Sequence, residues 1–104
     1  MEHQLPLSVS IIILYYNGVH YLKACLNSII NTVRDADEII VFVNNQDKNA
    51  HNIDLYKGRV KYVHEYETLG YSKAANKAIE YTKNDYVIFC DQDIVFCDNW
   101  LTNL

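Results

Sequence analysis

The apolar run at residues 9–14 constrains this chain more than any other stretch. Apart from Ser10 it holds only Val9, Ile11, Ile12, Ile13 and Leu14, with no polar alternation. A β-branched run of that kind reads as a strand buried on both faces, which needs a layer of structure above and below it. Asn17-Gly18 breaks the run, and Asn17 is expected to cap the next segment. There Leu22, Cys25, Leu26, Ile29, Ile30 and Val33 recur at helical spacing. A second apolar run, residues 38–43, ends in Asn44-Asn45-Gln46-Asp47. Residues 48–58 are polar, with one helical turn expected around residues 53–56. Residues 59–64 alternate: Val60, Tyr62 and His64 face one way, Lys61 and Val63 the other, as in a more exposed third strand. Gly70 precedes a helix with Tyr71, Ala74, Ala75, Ala78, Ile79 and Thr82 on one side. Residues 85–90 form the fourth strand and run directly into Asp91-Gln92-Asp93. Asp98 is placed to cap a last helix that starts at Trp100-Leu101.

The resulting order, βαβ(α)βαβ, implies an α/β fold: a mostly parallel four-stranded sheet with helices on both faces and right-handed crossovers. In such sheets ligands bind beyond the carboxyl ends of the strands, where the strand order reverses. The polar clusters at Tyr15, Tyr16 and Asn17, at Asn44 to Asp47, and at Asp91 to Asp93 each follow a strand. All three therefore converge on one edge. The 104 residues suit one domain over 1–104, with no repeat and no linker.

The net charge of −4 and the lack of any basic run exclude a nucleic-acid surface, which needs clustered Lys and Arg. They fit a protein that meets an anionic ligand through a metal ion. Residues 1–7 are short and polar, without a signal-peptide pattern, and the longest apolar run is far too short to span a bilayer. Cys25, Cys90 and Cys97 form no metal spacing and read as buried free thiols in a reducing compartment. The cytoplasm is the expected location, with a peripheral position on the inner face of the membrane as a variant of it.

Asp91 and Asp93, one residue apart after a buried strand, carry the clearest chemistry. A buried unpaired charge is costly, and a hard divalent cation, Mn²⁺ or Mg²⁺, takes one or two carboxylates plus substrate phosphates. Such an ion would bridge a diphosphate and neutralise the leaving group. The plainer reading is a polar turn in which one Asp caps the following backbone; the position on the ligand edge favours the metal. For His20, His51 and His64, scattered without ligand spacing, surface or half-buried packing is the better reading. Asp47 reads as a solvated turn residue before a ligand contact, Lys73 as solvated before a phosphate contact, and Trp100 as core. Tyr15 and Tyr16 can stack a base or pack the sheet edge.

Taken together, these segments resemble family 2 glycosyltransferases. Val9-Ser10-Ile11-Ile12-Ile13-Leu14-Tyr15-Tyr16-Asn17 is similar to their V-S-I-I-I-P-T-Y-N strand. Glu38-Ile39-Ile40-Val41-Phe42-Val43-Asn44-Asn45 resembles their E-I-I-V-V-D-N segment. Leu69-Gly70-Tyr71-Ser72-Lys73-Ala74-Ala75-Asn76-Lys77-Ala78-Ile79 is similar to L-G-x-x-x-A-x-N-x-G-I, and Tyr86 through Asp93 looks like the strand that carries their D-x-D motif. Asn99-Trp100-Leu101 resembles the start of the helix that follows. The D-Q-D form is similar to rhamnosyltransferase-like members. The resemblance implies a GT-A fold, with inverting, metal-dependent transfer from a nucleotide diphosphate sugar, such as a UDP- or dTDP-sugar, to a saccharide or lipid-linked acceptor. By position, Tyr15, Tyr16 and Asn17 would line the nucleobase and ribose pocket. Asn44 would stand where the family has a base-contacting Asp, Asp91 near the ribose or the metal, and Asp93 on the metal. Leu14 replaces the family's Pro, Asn44 its Asp, and Ala75 a common Arg. The family's acceptor half and general base lie beyond the D-x-D, so residues 1–104 are expected to be the donor-binding half, which binds a donor without transferring sugar.

Three other classes compete. A haloacid-dehalogenase-type phosphatase also places D-x-D after a buried strand, but with the first Asp as nucleophile near the N-terminus. A dinucleotide oxidoreductase needs a G-x-G-x-x-G after the first strand, which is lacking. A non-catalytic nucleotide-binding or assembly module, or an inactive remnant, would expose apolar surface and invite a homodimer.

Overall fold

The computed structural model describes residues 8–93. Seven elements follow in order: β1 Val9–Tyr15, α1 Val19–Ile29, β2 Glu38–Asn44, a short 3₁₀ turn Lys48–His51, β3 Val60–Glu65, α2 Tyr71–Ile79 and β4 Tyr86–Asp91. The expected last helix, with Asp98 and Trp100, and Cys97 fall outside the described residues.

All four strands are parallel, in the order β3-β2-β1-β4. The apolar run dictates this arrangement. Ile11, Ile12 and Ile13 are fully buried, and only a central strand covered on both faces can bury successive residues. The chain steps outward from β1 to β2 to β3, then crosses back through α2 to add β4 on the far side of β1. The order therefore reverses between β1 and β4, where Leu14 lies opposite both Phe42 and Asp91.

Each face has its own core. Ile11, Ile13 and Tyr15 pack with Leu22, Cys25, Leu26 and Ile29 of α1 on one side. Ile12, Ile40, Phe42 and Val63 pack with Ala74 and Ala78 of α2 on the other. This is the expected sheet with helices on both faces.

Three local expectations are corrected. Asn17 does not cap α1. The cap is Gly18, in the left-handed region at φ 88°, without a side-chain cap hydrogen bond. Its carbonyl accepts from the Tyr21 and Leu22 N–H groups at 3.0 and 3.2 Å. Glycine tolerates that conformation; other residues are strained in it. The helical turn lies at Lys48–His51 rather than at 53–56, because the Asp47 carboxylate accepts from the Asn49 N–H at 3.0 Å and starts it there. Ile53 and Leu55 pack instead against the α1-side core. The buried stripe of α2 is also narrower than expected: Ala74 and Ala78 are buried, whereas Tyr71 and Ile79 are 63% and 43% exposed. Two alanines four residues apart let the helix lie on the sheet without larger side chains.

At the opposite edge from the strand ends, Asp37 is 1% exposed. It accepts from the Val9 N–H (2.9 Å), the Arg34 N–H (2.9 Å) and the Arg34 guanidinium (2.8 Å). That node fixes the entry of β1 against the α1–β2 connection.

Candidate functional site

Three strand ends meet at the carboxyl edge, each with a polar cluster. Between the segment after β1 and the segment after β2 lies an open cleft of about 520 Å³, lined by Tyr15, Tyr16, Asn17, Asp47, Asn49 and Ile53 among others. Tyr15 is 3% exposed and joins cleft and core; burial pushes its hydroxyl pKa up. Tyr16 is 48% exposed and presents its ring at the rim.

Asn45 joins the two walls of this cleft. Its amide Nδ2 donates to the Tyr16 carbonyl at 2.9 Å, and its Oδ1 accepts from the Asp47 N–H at 2.8 Å. Its backbone carbonyl contacts His51 Nε2 at 2.6 Å. A carbonyl can only accept, so that nitrogen carries a proton. The other ring nitrogen of His51 lies 2.9 Å from His64 Nδ1, and Tyr66 stacks on His51 at 4.1 Å. Burial, then the neighbouring His51, lowers the His64 pKa. The contacts of the His51 ring tie the segment after β2 to the end of β3.

Asn44 sits elsewhere. It is not among the residues that line the cleft. Its Nδ2 donates to the Leu69 carbonyl and its Oδ1 accepts from the Leu69 N–H, both at 2.8 Å. Both ends of the amide are thereby used on the backbone that leads into α2.

On the other side of β1, at the strand-order reversal, stands Asp91-Gln92-Asp93. Gln92 turns toward the β1–α1 segment: its Oε1 accepts from the Tyr16 N–H at 2.8 Å, and its Nε2 donates to the Asn17 carbonyl. Asp91 and Asp93 are exposed, and among the described residues neither takes part in an ion pair. Nor do any three His, Cys, Asp or Glu side chains among the described residues gather into a metal group. The set on offer is thus two solvent-facing carboxylates without a protein cation. This corrects the premise of a buried charge that needs a partner: both carboxylates face solvent, and a hard ion such as Mg²⁺ or Mn²⁺ would have to complete its shell there with water and phosphate oxygens.

Of the site residues expected from sequence, Tyr15, Tyr16 and Asn17 line one cleft, and Gln92 ties the Asp91/Asp93 turn to two of them. Lys73 is exposed on α2. Sequence reasoning missed Asn45, Gln92 and the His51–His64 contact. The one signal available was that amide side chains beside strand ends commonly bond to backbone. Among the described residues, no helix is long and apolar enough to cross a membrane.

Comparison with known proteins gives the family and the fold. The family model described as "Glycosyl transferase family 2" matches residues 10–104. A curated relative, the putative glycosyltransferase EpsH of Bacillus subtilis (strain 168), is 32% identical over 92 residues. The match covers 83% of this chain and 26% of the relative, so the chain spans about a quarter of that protein's length. Among solved structures, one of GalNAc-T7 with UDP, GalNAc and Mn²⁺ superposes with a TM-score of 0.78 at 21% identity, over 94% of this chain and 20% of the other. S. aureus TarS 1-349 gives 0.78 at 22%, over 92% and 30%. The mannosyltransferase PcManGT from Pyrobaculum calidifontis, in complex with GDP-Man and Mn²⁺, gives 0.79 at 21%, over 95% and 31%.

Proposed function

The chain belongs to glycosyl transferase family 2 and has the GT-A fold, and from that premise we propose that it holds the donor site of an inverting, metal-dependent glycosyltransferase. The donor is a nucleoside diphosphate sugar, and the acceptor a saccharide or a lipid-linked sugar. One observation carries this reading: an open cleft between the ends of β1 and β2 holds an exposed aromatic, Tyr16, and Gln92 ties that segment to the turn at the strand-order reversal, whose two carboxylates are in no ion pair among the described residues.

In this reading the base rests on Tyr16 over the floor made by Tyr15. Asn17 and Asp47 offer polar contacts around base and ribose. Asn44 has both amide ends on Leu69 and acts as a tie rather than a base contact. Asp91 and Asp93 hold the divalent cation. When bound, that ion supplies charge neutralisation for the departing diphosphate. Inversion further requires a carboxylate that deprotonates the acceptor hydroxyl; we assign that role to none of the described residues. The Mn²⁺ held with UDP by one structural neighbour and with GDP-Man by another supports a nucleotide site that works with a divalent ion.

Calorimetric titration of the 104-residue chain with UDP, dTDP and GDP, each with and without Mn²⁺, tests this. We expect one of the three to bind, more tightly with the metal. Failure of all three under both conditions would overturn the donor-site reading.

A further inference from the structure

We infer that Gln92, the residue between the two carboxylates, is a positioning residue that fixes the separation between the nucleotide cleft and the metal-holding turn. The inference rests on the donor-site reading above.

The β1–β4 ladder ends at the pair Leu14 and Asp91. Beyond it, the Gln92 side chain continues the attachment. The Tyr16 peptide is gripped from both sides: its N–H donates to Gln92 Oε1 at 2.8 Å, and its carbonyl accepts from Asn45 Nδ2 at 2.9 Å. Gln92 Nε2 donates to the next carbonyl, that of Asn17. Gly18 lies against the same amide. A Cβ built there would stand 3.4 Å from Gln92 Nε2 and 3.2 Å from the Tyr21 ring, so the loop runs flush along the amide.

This task has a narrow chemical solution. One side chain must accept from one peptide N–H and donate to a neighbouring carbonyl, which a carboxamide does and a carboxylate does not. Glu keeps the acceptor and loses the donor. Asn keeps both and is one methylene shorter. Met fills similar space with neither. While the Gln92 side chain lies against residues 16–18, Asp91 and Asp93 on either side of it remain exposed.

The functional consequence is coupling. A nucleoside diphosphate spans the cleft and the metal, so Mn²⁺ and nucleotide raise each other's affinity by one shared factor. That factor depends on how well the turn is held relative to Tyr16. Loosening the turn lowers it, while Asn45 still holds the Tyr16 carbonyl at the cleft.

The test is calorimetry on the 104-residue chain, as wild type, Gln92→Met and Gln92→Asn. UDP, dTDP and GDP are titrated with and without Mn²⁺, beside thermal melts. In Gln92→Met the factor by which Mn²⁺ strengthens nucleotide binding should fall at least about fivefold. Metal-free affinity and melting temperature should stay near wild type, and Gln92→Asn should fall between. An undiminished Mn²⁺ factor in Gln92→Met, or in Gln92→Asn should the Met variant not fold, overturns the inference and leaves the donor site standing. Equal weakening with and without metal, with a lowered melting temperature, also overturns it by assigning Gln92 to structure alone. Wild type that shows no Mn²⁺-dependent binding overturns the donor-site reading, and the inference with it.

Discussion

Asn44 and Leu69 close a two-bond ring: the Asn44 carboxamide donates to the Leu69 carbonyl and accepts from the Leu69 N–H, each at 2.8 Å. The ring joins the end of β2 to the residue before Gly70 and α2. A carboxylate cannot do this at neutral pH, because it lacks the donor. The Asn44 carboxamide is therefore matched to its partner in this chain.

Asn44→Asp should destabilise the fold by about 1–3 kcal/mol, since it removes a donor and sets a charge against a carbonyl. Urea denaturation measures this. Unchanged stability together with altered nucleotide affinity would instead return Asn44 to the binding site.

Asp37 makes stability depend on acid. Burial would raise its pKa, but the Arg34 side chain and the Val9 and Arg34 N–H groups together hold it below the usual carboxylate range. A group whose folded pKa is depressed adds stability above its unfolded value, near 3.9. That stability is lost as pH falls through the folded value. Asp37→Asn should cost about 3 kcal/mol at pH 7 and flatten the stability profile below about pH 4. A parallel profile in wild type and variant would remove Asp37 from this role.

Cys25 and Cys90 are free and buried in the α1-side core. Cys90 Sγ donates to the Ile12 carbonyl at 3.7 Å; the interaction of the two thiols lowers the Cys25 pKa and, with burial, raises that of Cys90. Alkylation followed by peptide mass analysis should label both only at the rate of opening of the fold. Fast labelling of Cys25 in the native protein would show that this layer opens locally.

Much of this architecture is legible in the sequence. The run of Val9, Ile11, Ile12 and Ile13, interrupted only by Ser10, announces a central strand, and the polar clusters after each apolar run announce the ligand edge. The local errors have physical causes. Asn17 carries a good cap residue's side chain, but Gly18 reaches the left-handed region at no steric cost, and that decides where α1 begins. Asp47 starts the 3₁₀ turn because its carboxylate finds the Asn49 N–H two residues on. The roles of Asn44, Asn45 and Gln92 depend on partners 25, 29 and 76 residues away. No local pattern encodes such pairings; they exist only once the parallel sheet has brought the strand ends together.

The central claim is that Asp91 and Asp93 hold the cation that recruits the donor's diphosphate, and it is tested most directly by titrating nucleoside diphosphates and Mn²⁺ into Asp93→Asn and Asp91→Asn. Both residues are exposed and in no ion pair among the described residues, so each variant should melt within a few degrees of wild type, about 0.5 kcal/mol or less. We predict that the Mn²⁺-dependent part of nucleotide binding disappears in Asp93→Asn and weakens by about tenfold or more in Asp91→Asn, while the metal-free part persists. Mn²⁺-dependent binding that survives in both well-folded variants would contradict the account.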